Sequence, residues 1–234
     1  KTSMKPACFV PARGGSKRIP RKNRRPFCGR PIMEYPILQA QASGLFSRII
    51  VSSDDDEIRA IGRRLGCETD TRPLWLYGDT VDSETIVAHA IKHFGLGMDP
   101  AICMLYPTAV FVRAEWLSES FSEFDGHPIA VCKLDTEPAQ RALCVGSDGA
   151  IVPLMPGFID YRTQDLAASF HDVGAFYWLS PQPFLAGWEG RPKVALLSQG
   201  ARPYIIGKYE SWDIDDPEDW EHAESEYRRI FHVG

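Results

Sequence analysis

Paired cysteines are missing from this sequence. The six present, Cys8, Cys28, Cys67, Cys103, Cys132 and Cys144, are widely spaced and form no CxxC pair. That excludes a zinc ribbon and a disulfide framework and leaves reduced core or near-core thiols. Long apolar runs are missing too. The longest stretch without a charged side chain is the 16 residues from Val173 to Trp188, interrupted by Pro181 and Pro183. A membrane span requires roughly 18 or more. The chain opens without a secretory leader pattern, and Lys1-Thr2-Ser3 ahead of Met4 reads as a remnant of an expression vector. A soluble, cytoplasmic protein is the expectation. No repeat or low-complexity tract breaks the 234 residues, and a composition 44% hydrophobic and 24% charged suits an ordinary globular core.

One stretch lacks acid altogether. Between Arg13 and Arg25 stand seven basic residues, Arg13, Lys17, Arg18, Arg21, Lys22, Arg24 and Arg25, while the whole chain carries −5. Setting them aside leaves 19 basic against 31 acidic residues, a net of −12. An acidic protein with one basic loop is a poor nucleic-acid binder and a better host for a small polyanion held at one spot.

Short apolar runs alternate with amphipathic segments through the first half. Strands are predicted at Ala7–Val10, Arg48–Val51 and Ala101–Leu105, and helices at Met33–Ala42, Asp55–Leu65, Glu84–Phe94 and Ala114–Phe124. That order predicts an α/β fold, a mostly parallel sheet with right-handed crossovers and helices on both faces. From about 129 to 178 the character changes to short β-like runs, read as a β-rich insertion, a lid or dimer arm, within a single domain of 1–234. A final helix follows Asp216 as cap and Pro217 at its first position. The acids Asp54, Asp55, Asp56 and Glu57 open the second helix, and favourable charge at a helix N-terminus accounts for them better than a metal does.

The strongest chemical signal is Pro11-Ala12-Arg13-Gly14-Gly15-Ser16-Lys17-Arg18-Ile19-Pro20-Arg21-Lys22-Asn23. It follows the first strand, at the carboxyl edge where open α/β sheets bind ligands. Gly14 and Gly15 let the backbone approach and turn its amides to an anion; Ser16 adds a hydroxyl, and Arg13, Lys17 and Lys22 add charge for a triphosphate. The loop is neither a Walker A sequence nor GxGxxG. A solvated charged loop and a basic tract for nucleic acid are the competing readings. The second signal is Trp212-Asp213-Ile214-Asp215-Asp216-Pro217. In extended chain, residues two apart share a side, so Asp213 and Asp215 converge on one cation, and hard oxygens suit Mg²⁺. Turn and cap chemistry is the alternative. His89 and His93 stand four apart, but no Glu follows His89, so they read as helix-face residues. The polar loop from Arg72-Pro73 to Asp79-Thr80-Val81-Asp82-Ser83 either reads a base edge or starts the next helix. Arg162-Thr163-Gln164-Asp165 and His171-Asp172 either bind a polar substrate or form exposed turns.

Together these motifs resemble the CMP-sugar synthetases, CTP-dependent enzymes that activate nine-carbon keto-sugar acids. The likeness runs from Ala7 to Phe231, through PARGGSKRIPRKN at 11–23, IVSSDDDEI at 50–58, the 72–83 loop, YPTAVF at 106–111 and DIDDPEDW at 213–220. Pro26-Phe27-Cys28-Gly29, Pro138–Ala142, Arg162–Leu166 and His171–Trp178 point to the branch acting on pseudaminic acid. Sialic and legionaminic acids are the alternatives. The resemblance implies a Rossmann-like fold of the nucleotide-diphospho-sugar transferase type and a homodimer exchanging the β-rich insertion. It implies nucleotide contacts from Ala12, Arg13, Gly14, Gly15, Ser16, Lys17, Lys22 and Asn23, with Arg72 and Ser83 facing the cytosine. Asp213 and Asp215 correspond to the family's magnesium pair, and Tyr106, Arg162, Gln164, His171 and Asp172 to sugar contacts. Tyr106 stands where sialic acid synthetases usually carry Gln, His171 where they carry Arg, and Val110 where proline is common.

The expected reaction is attack of the sugar's anomeric hydroxyl on the α-phosphorus of CTP with loss of pyrophosphate. Arg13, Lys17, Lys22 and Asp215 carry the catalysis, through Mg²⁺ and charge neutralisation. A nucleic-acid module would need an extended positive surface that the −12 remainder does not offer. A silent nucleotide-sugar sensor would keep the loop and lose the Asp213/Asp215 pair.

Overall fold

A computed structural model describes residues 5–78, 81–135, 137–190 and 200–232. Lys1-Thr2-Ser3 and the loop residues Asp79 and Thr80 lie outside the described residues. Strand β1 (Ala7–Pro11) sets the architecture. Its first four residues are apolar and buried, so both of its faces need a cover. Ala7 and Phe9 enter one core cluster and Cys8 and Val10 another, the two-residue period of a strand read out as two separate cores.

The chain continues through a small hairpin, β2 (Pro26–Phe27) and β3 (Arg30–Pro31), then α1 (Glu34–Ala42), β4 (Arg48–Ser53), α2 (Asp56–Arg64) and β5 (Glu68–Thr71). Next come α3 (Ser83–His93), β6 (Ile102–Leu105), α4 (Ala114–Ser122) and β7 (Ile129–Leu134). A second hairpin, β8 (Leu143–Val145) and β9 (Ile151–Pro153), precedes β10 (Phe170–Leu179), α5 (Pro181–Gly190), β11 (Arg202–Ile206) and α6 (Pro217–Phe231). Seven strands form one sheet in the order β11-β7-β10-β6-β1-β4-β5. β10 runs antiparallel to β6 and β7, and the remaining pairings are parallel. Ile37 of α1, Ile58 of α2 and Leu117 of α4 cover one face, Val87 and Ile91 of α3 with Leu185 of α5 the other. The expected α/β sheet with helices on both faces is therefore present.

From β1 the chain builds outward to β4 and β5, then crosses to β6 on the other side of β1. The winding reverses at the β1/β6 boundary, and the loops after β1 and β6 flank the crevice that such a reversal opens. Helix ends follow the expected chemistry. Asp55 accepts the Glu57 and Ile58 amides at 2.8 and 3.1 Å. Asp216 caps α6 in a reciprocal box with Asp219, with Pro217 in the first turn.

The stretch at 129–178 divides differently from the expectation. Its two ends, β7 and β10, belong to the central sheet; their continuous apolar residues Ile129–Val131 and Ala175–Leu179 are buried on both faces. Only the segment between them, 135–169, leaves the sheet, carrying β8 and β9. The uncharged run Val173–Trp188 is the end of β10 and the start of α5, and no helix among the described residues is long and apolar enough to cross a membrane. The cysteines are all free, but Cys144 on β8 is exposed and not a core thiol.

At the centre of the sheet, fully buried Trp178 donates its indole N–H to Ser120 Oγ at 2.9 Å. Ser120→Ala would leave that N–H buried without a partner, so it is expected to lower the unfolding free energy by about 1–3 kcal/mol. Urea denaturation showing an unchanged midpoint would contradict this packing.

Candidate active site

The basic loop leaves the carboxyl end of β1 and is held from three sides. Ala12 N–H donates to the Ser52 carbonyl at 3.0 Å, Gly14 N–H to Asp54 Oδ1 at 2.7 Å, and the Asn23 side-chain amide to the Arg13 carbonyl at 2.9 Å. Ile19, the apolar residue among the charges, is completely buried in a third core cluster beneath the loop. A side chain cannot replace the hydrogen of Gly14, because an added Cβ would lie 2.7 Å from Asp55 Cβ. Two expectations change here. The Gly14 amide is taken by Asp54 and does not face a ligand, and Ala12 is buried in the first core cluster, so it contributes backbone only.

The loop walls a cleft of about 500 Å³. Arg13, Ser16, Lys17, Lys22 and Asn23 line one side. Arg72 just after β5, Ser83 at the start of α3 and Tyr106 just after β6 also line it, with Asp215 from the segment before α6. Residues more than 190 positions apart thus meet in one concavity. Arg72 is buried with its guanidinium donating to the Ser52 carbonyl at 2.9 Å. Burial lowers its pKa, and the charges of Asp54 and Asp70 oppose that. Ser83 Oγ and the Tyr106 hydroxyl are 3.1 Å apart, so the residues expected at the base and at the sugar touch.

Asp215 is held by Arg18 at 2.8 Å and faces Lys22 Nζ at 3.6 Å. Burial pushes the Lys22 ammonium below its usual pKa, against the pull of Asp215 and Asp213. Ile214 between the two acids is buried in the third cluster; Asp215 lines the cleft, and Asp213 Oδ1 accepts the Ile214 amide at 2.8 Å. Partial desolvation by the surrounding chain, and then the charge of Asp215, raise the Asp213 carboxyl above the ordinary range. Two hard carboxylates under mutual repulsion fit a divalent cation that completes its shell from phosphate and water. Among the described residues no cluster of three or more ligating side chains occurs.

The sugar residues are divided. Asp172 accepts a hydrogen bond from the Tyr177 hydroxyl, and the Tyr177 ring meets Tyr106 edge-on at 5.9 Å, so Asp172 reaches the cleft through Tyr177. His171 is not brought into the cleft; strand alternation sends it to the opposite face, where it pairs with Asp135. Arg162 and Gln164 sit on the projecting segment away from the cleft, Arg162 exposed and paired with Asp165 at 2.7 Å. His89 and His93 are stacked helix-face rings 5.2 Å apart, as expected. The acids at 54–57 each have a protein partner: Gly14 for Asp54, the α2 amides for Asp55, Arg59 for Asp56 and Arg24 for Glu57. Two contacts at the cleft were not foreseen from the sequence, Arg18 with Asp215 and Asp54 with the Gly14 amide. The charge of each was visible, but nothing local marks its partner.

With the geometry in place, the likenesses are informative. A family model described as cytidylyltransferase matches residues 7–127. A pseudaminic acid cytidylyltransferase of Campylobacter jejuni serotype O:2 is 30% identical over 231 residues, covering 96% of this chain and 97% of that one. An N-acylneuraminate cytidylyltransferase of Streptococcus agalactiae serotype V is 24% identical over 94% of this chain and 52% of its own length. The solved structure of CMP:2-keto-3-deoxy-manno-octonic acid synthetase complexed with CTP superposes with a TM-score of 0.70 at 16% identity, covering 97% of this chain and 99% of that one. It shares the fold. Because the Gly14 position has no room, Gly14→Ala must displace the loop from Asp55, at a cost of about 1–3 kcal/mol. Nucleoside triphosphate binding is expected to weaken about tenfold, roughly 1.4 kcal/mol at the binding step, because the displaced loop no longer holds its phosphate-facing side chains in place. Isothermal titration checks it, and wild-type affinity would refute the close approach.

Proposed function

We infer the reaction of this chain from one premise, that it belongs to the cytidylyltransferase family. It transfers a cytidylyl group from CTP to a nonulosonic acid, giving the CMP-sugar and pyrophosphate, and pseudaminic acid is the sugar we assign. The observation that carries the reading is the cleft itself, where the basic loop, Arg72, Ser83, Tyr106 and Asp215 converge at the switch point of the sheet.

The anomeric hydroxyl oxygen forms a bond to the α-phosphorus, the bond from that phosphorus to the bridging oxygen breaks, and the hydroxyl proton is released. Negative charge grows on the departing pyrophosphate. Arg13, Lys17 and Lys22 supply fixed positive charge to it, so catalysis is chiefly positioning and electrostatic. Lys22 is the best placed of these, because its partial burial keeps water from screening its charge. Arg72 offers guanidinium donors to the ring acceptors of cytosine, and Ser83 with Tyr106 joins the base side of the cleft to the sugar side. Mg²⁺ held by Asp213 and Asp215 would neutralise phosphate oxygens and acidify the attacking hydroxyl. The free cysteines suit a reducing compartment, and we place the reaction in the cytoplasm.

The projecting segment supports a homodimer. Leu143, Val145 and Ile151 are 63, 73 and 69% exposed on the β8–β9 hairpin, with Leu154, Ile159 and Tyr161 also open to solvent. An apolar surface of that kind seeks a cover, and a second copy of this arm is complementary to it. Val145→Asp with Ile151→Asp is expected to give a monomer by light scattering; an unaltered dimer would place the interface elsewhere.

Pyrophosphate release with CTP, Mg²⁺ and a panel of nonulosonic acids tests the reaction. Pseudaminic acid is expected to turn over fastest. Turnover with none would overturn the reaction, and preference for sialic acid would change the sugar alone. Asp215→Ala is expected to reduce turnover about a hundredfold or more while the circular dichroism spectrum is unchanged. Wild-type activity would remove Asp215 from the site.

A further inference from the structure

We propose that Asp54 is a positioning residue of the nucleotide site, its carboxylate setting the course of the phosphate loop through the Gly14 amide. The inference rests on the reading of the cleft as a nucleotide site. β1 and β4 run parallel with Pro11 opposite Ser52, and the Ala12 amide continues the ladder by donating to the Ser52 carbonyl at 3.0 Å. Two residues on, β4 has turned into α2, whose first turn begins at Asp56 with Asp55 as its cap. The Asp54 side chain supplies the next acceptor instead, 2.7 Å from the Gly14 nitrogen. The ladder is extended one step beyond the end of the strand by a side chain, and the loop leaves the sheet from a tethered point.

Its neighbours cannot take the part. Asp55 is committed to the α2 amides and Arg24, Asp56 to Arg59, and Glu57 to Arg24. Asp54 also faces Arg72, and its charge helps hold that buried guanidinium ionised. A carboxylate beneath a polyanion site repels the ligand. The Gly14 amide it accepts from, and the positive charge of nearby Arg72, offset that repulsion. Hydrogen bonds to an ionised acceptor are roughly twice as strong as neutral ones, which suits a glycine-rich segment with high conformational freedom.

Asp54→Ala removes the acceptor, and Asp54→Asn keeps an oxygen at the same place without the charge. CTP binding measured by calorimetry in the absence of sugar is expected to weaken about tenfold in Asp54→Ala and less than about threefold in Asp54→Asn, the range for a lost charge-assisted bond against a retained neutral one. Gly14 amide exchange, followed by NMR, is expected to accelerate about tenfold in Asp54→Ala alone, in line with a lost tether. Thermal midpoints should stay close to that of the parent. An Asp54→Ala protein that binds CTP as the parent does, or an Asp54→Asn protein as weak as Asp54→Ala, overturns the proposal. A parent protein that does not bind CTP overturns the functional reading instead, and the Gly14 exchange rate then still judges Asp54.

Discussion

The site depends on a hydrophobic contact. Ile19 in the basic loop and Ile214 between the two carboxylates are both buried in one cluster with Phe27, Tyr35, Phe111 and Trp220. Phe27 is its hub, meeting Tyr35, Trp220 and Tyr227 edge-on, each at 5.5 Å, the geometry aromatic quadrupoles favour. Arg18 beside Ile19 and Asp215 beside Ile214 are thereby turned toward the cleft. Charges that would drift apart in water are thereby brought together by apolar neighbours. The β2–β3 hairpin and α6 act as the scaffold of this cluster, and Arg25 lies over the Trp220 ring at 4.9 Å, closing it against solvent.

The central sheet supplies the second constraint. β1 is covered on both faces and has its own neighbours reversed about it, so the loops after β1 and β6 must face one another. Phosphate-side and base-side residues then come from different strand ends. Arg72 shows the benefit. Its backbone amide and guanidinium both return to the end of β4, to Ser53 and Ser52, so its position is set before any ligand arrives.

What the sequence made legible was local. The glycine-rich basic loop, the buried run of β1 and the Asp216-Pro217 opening of α6 each declare themselves within a few residues. The cleft itself was legible through residue types whose chemistry has one natural use together. Tertiary choices were less legible. Any of four adjacent acids could have reached Gly14, and only the turn from β4 into α2 selects Asp54. β7 and β10 looked like part of an insertion because the exposed hairpin segment between them separates two short apolar runs that pair only through the sheet. His171 and Asp172 are adjacent in sequence, yet strand geometry sends them to different faces. α5 was hidden because its prolines fall in the first turn, where a helix tolerates them, and because Val173–Trp188 crosses from strand to helix without a charge.

The pairing of Asp215 with Arg18 and Lys22 makes the cleft an ion exchanger. A triphosphate entering it does not meet seven free cations, because part of the loop's charge is already balanced by an acid from the other end of the chain. Occupancy swaps one anionic partner for another, so the thermodynamic signature of binding follows the difference between carboxylate and phosphate as partners. The gain in fixed charge pairing is smaller than the loop's composition suggests, and so is the number of small ions released to solvent. Retention of the nucleotide should therefore depend on ionic strength less steeply than for a bare basic loop. The same pairing lowers the positive charge of the vacant cleft, which its remaining Arg and Lys residues keep cationic.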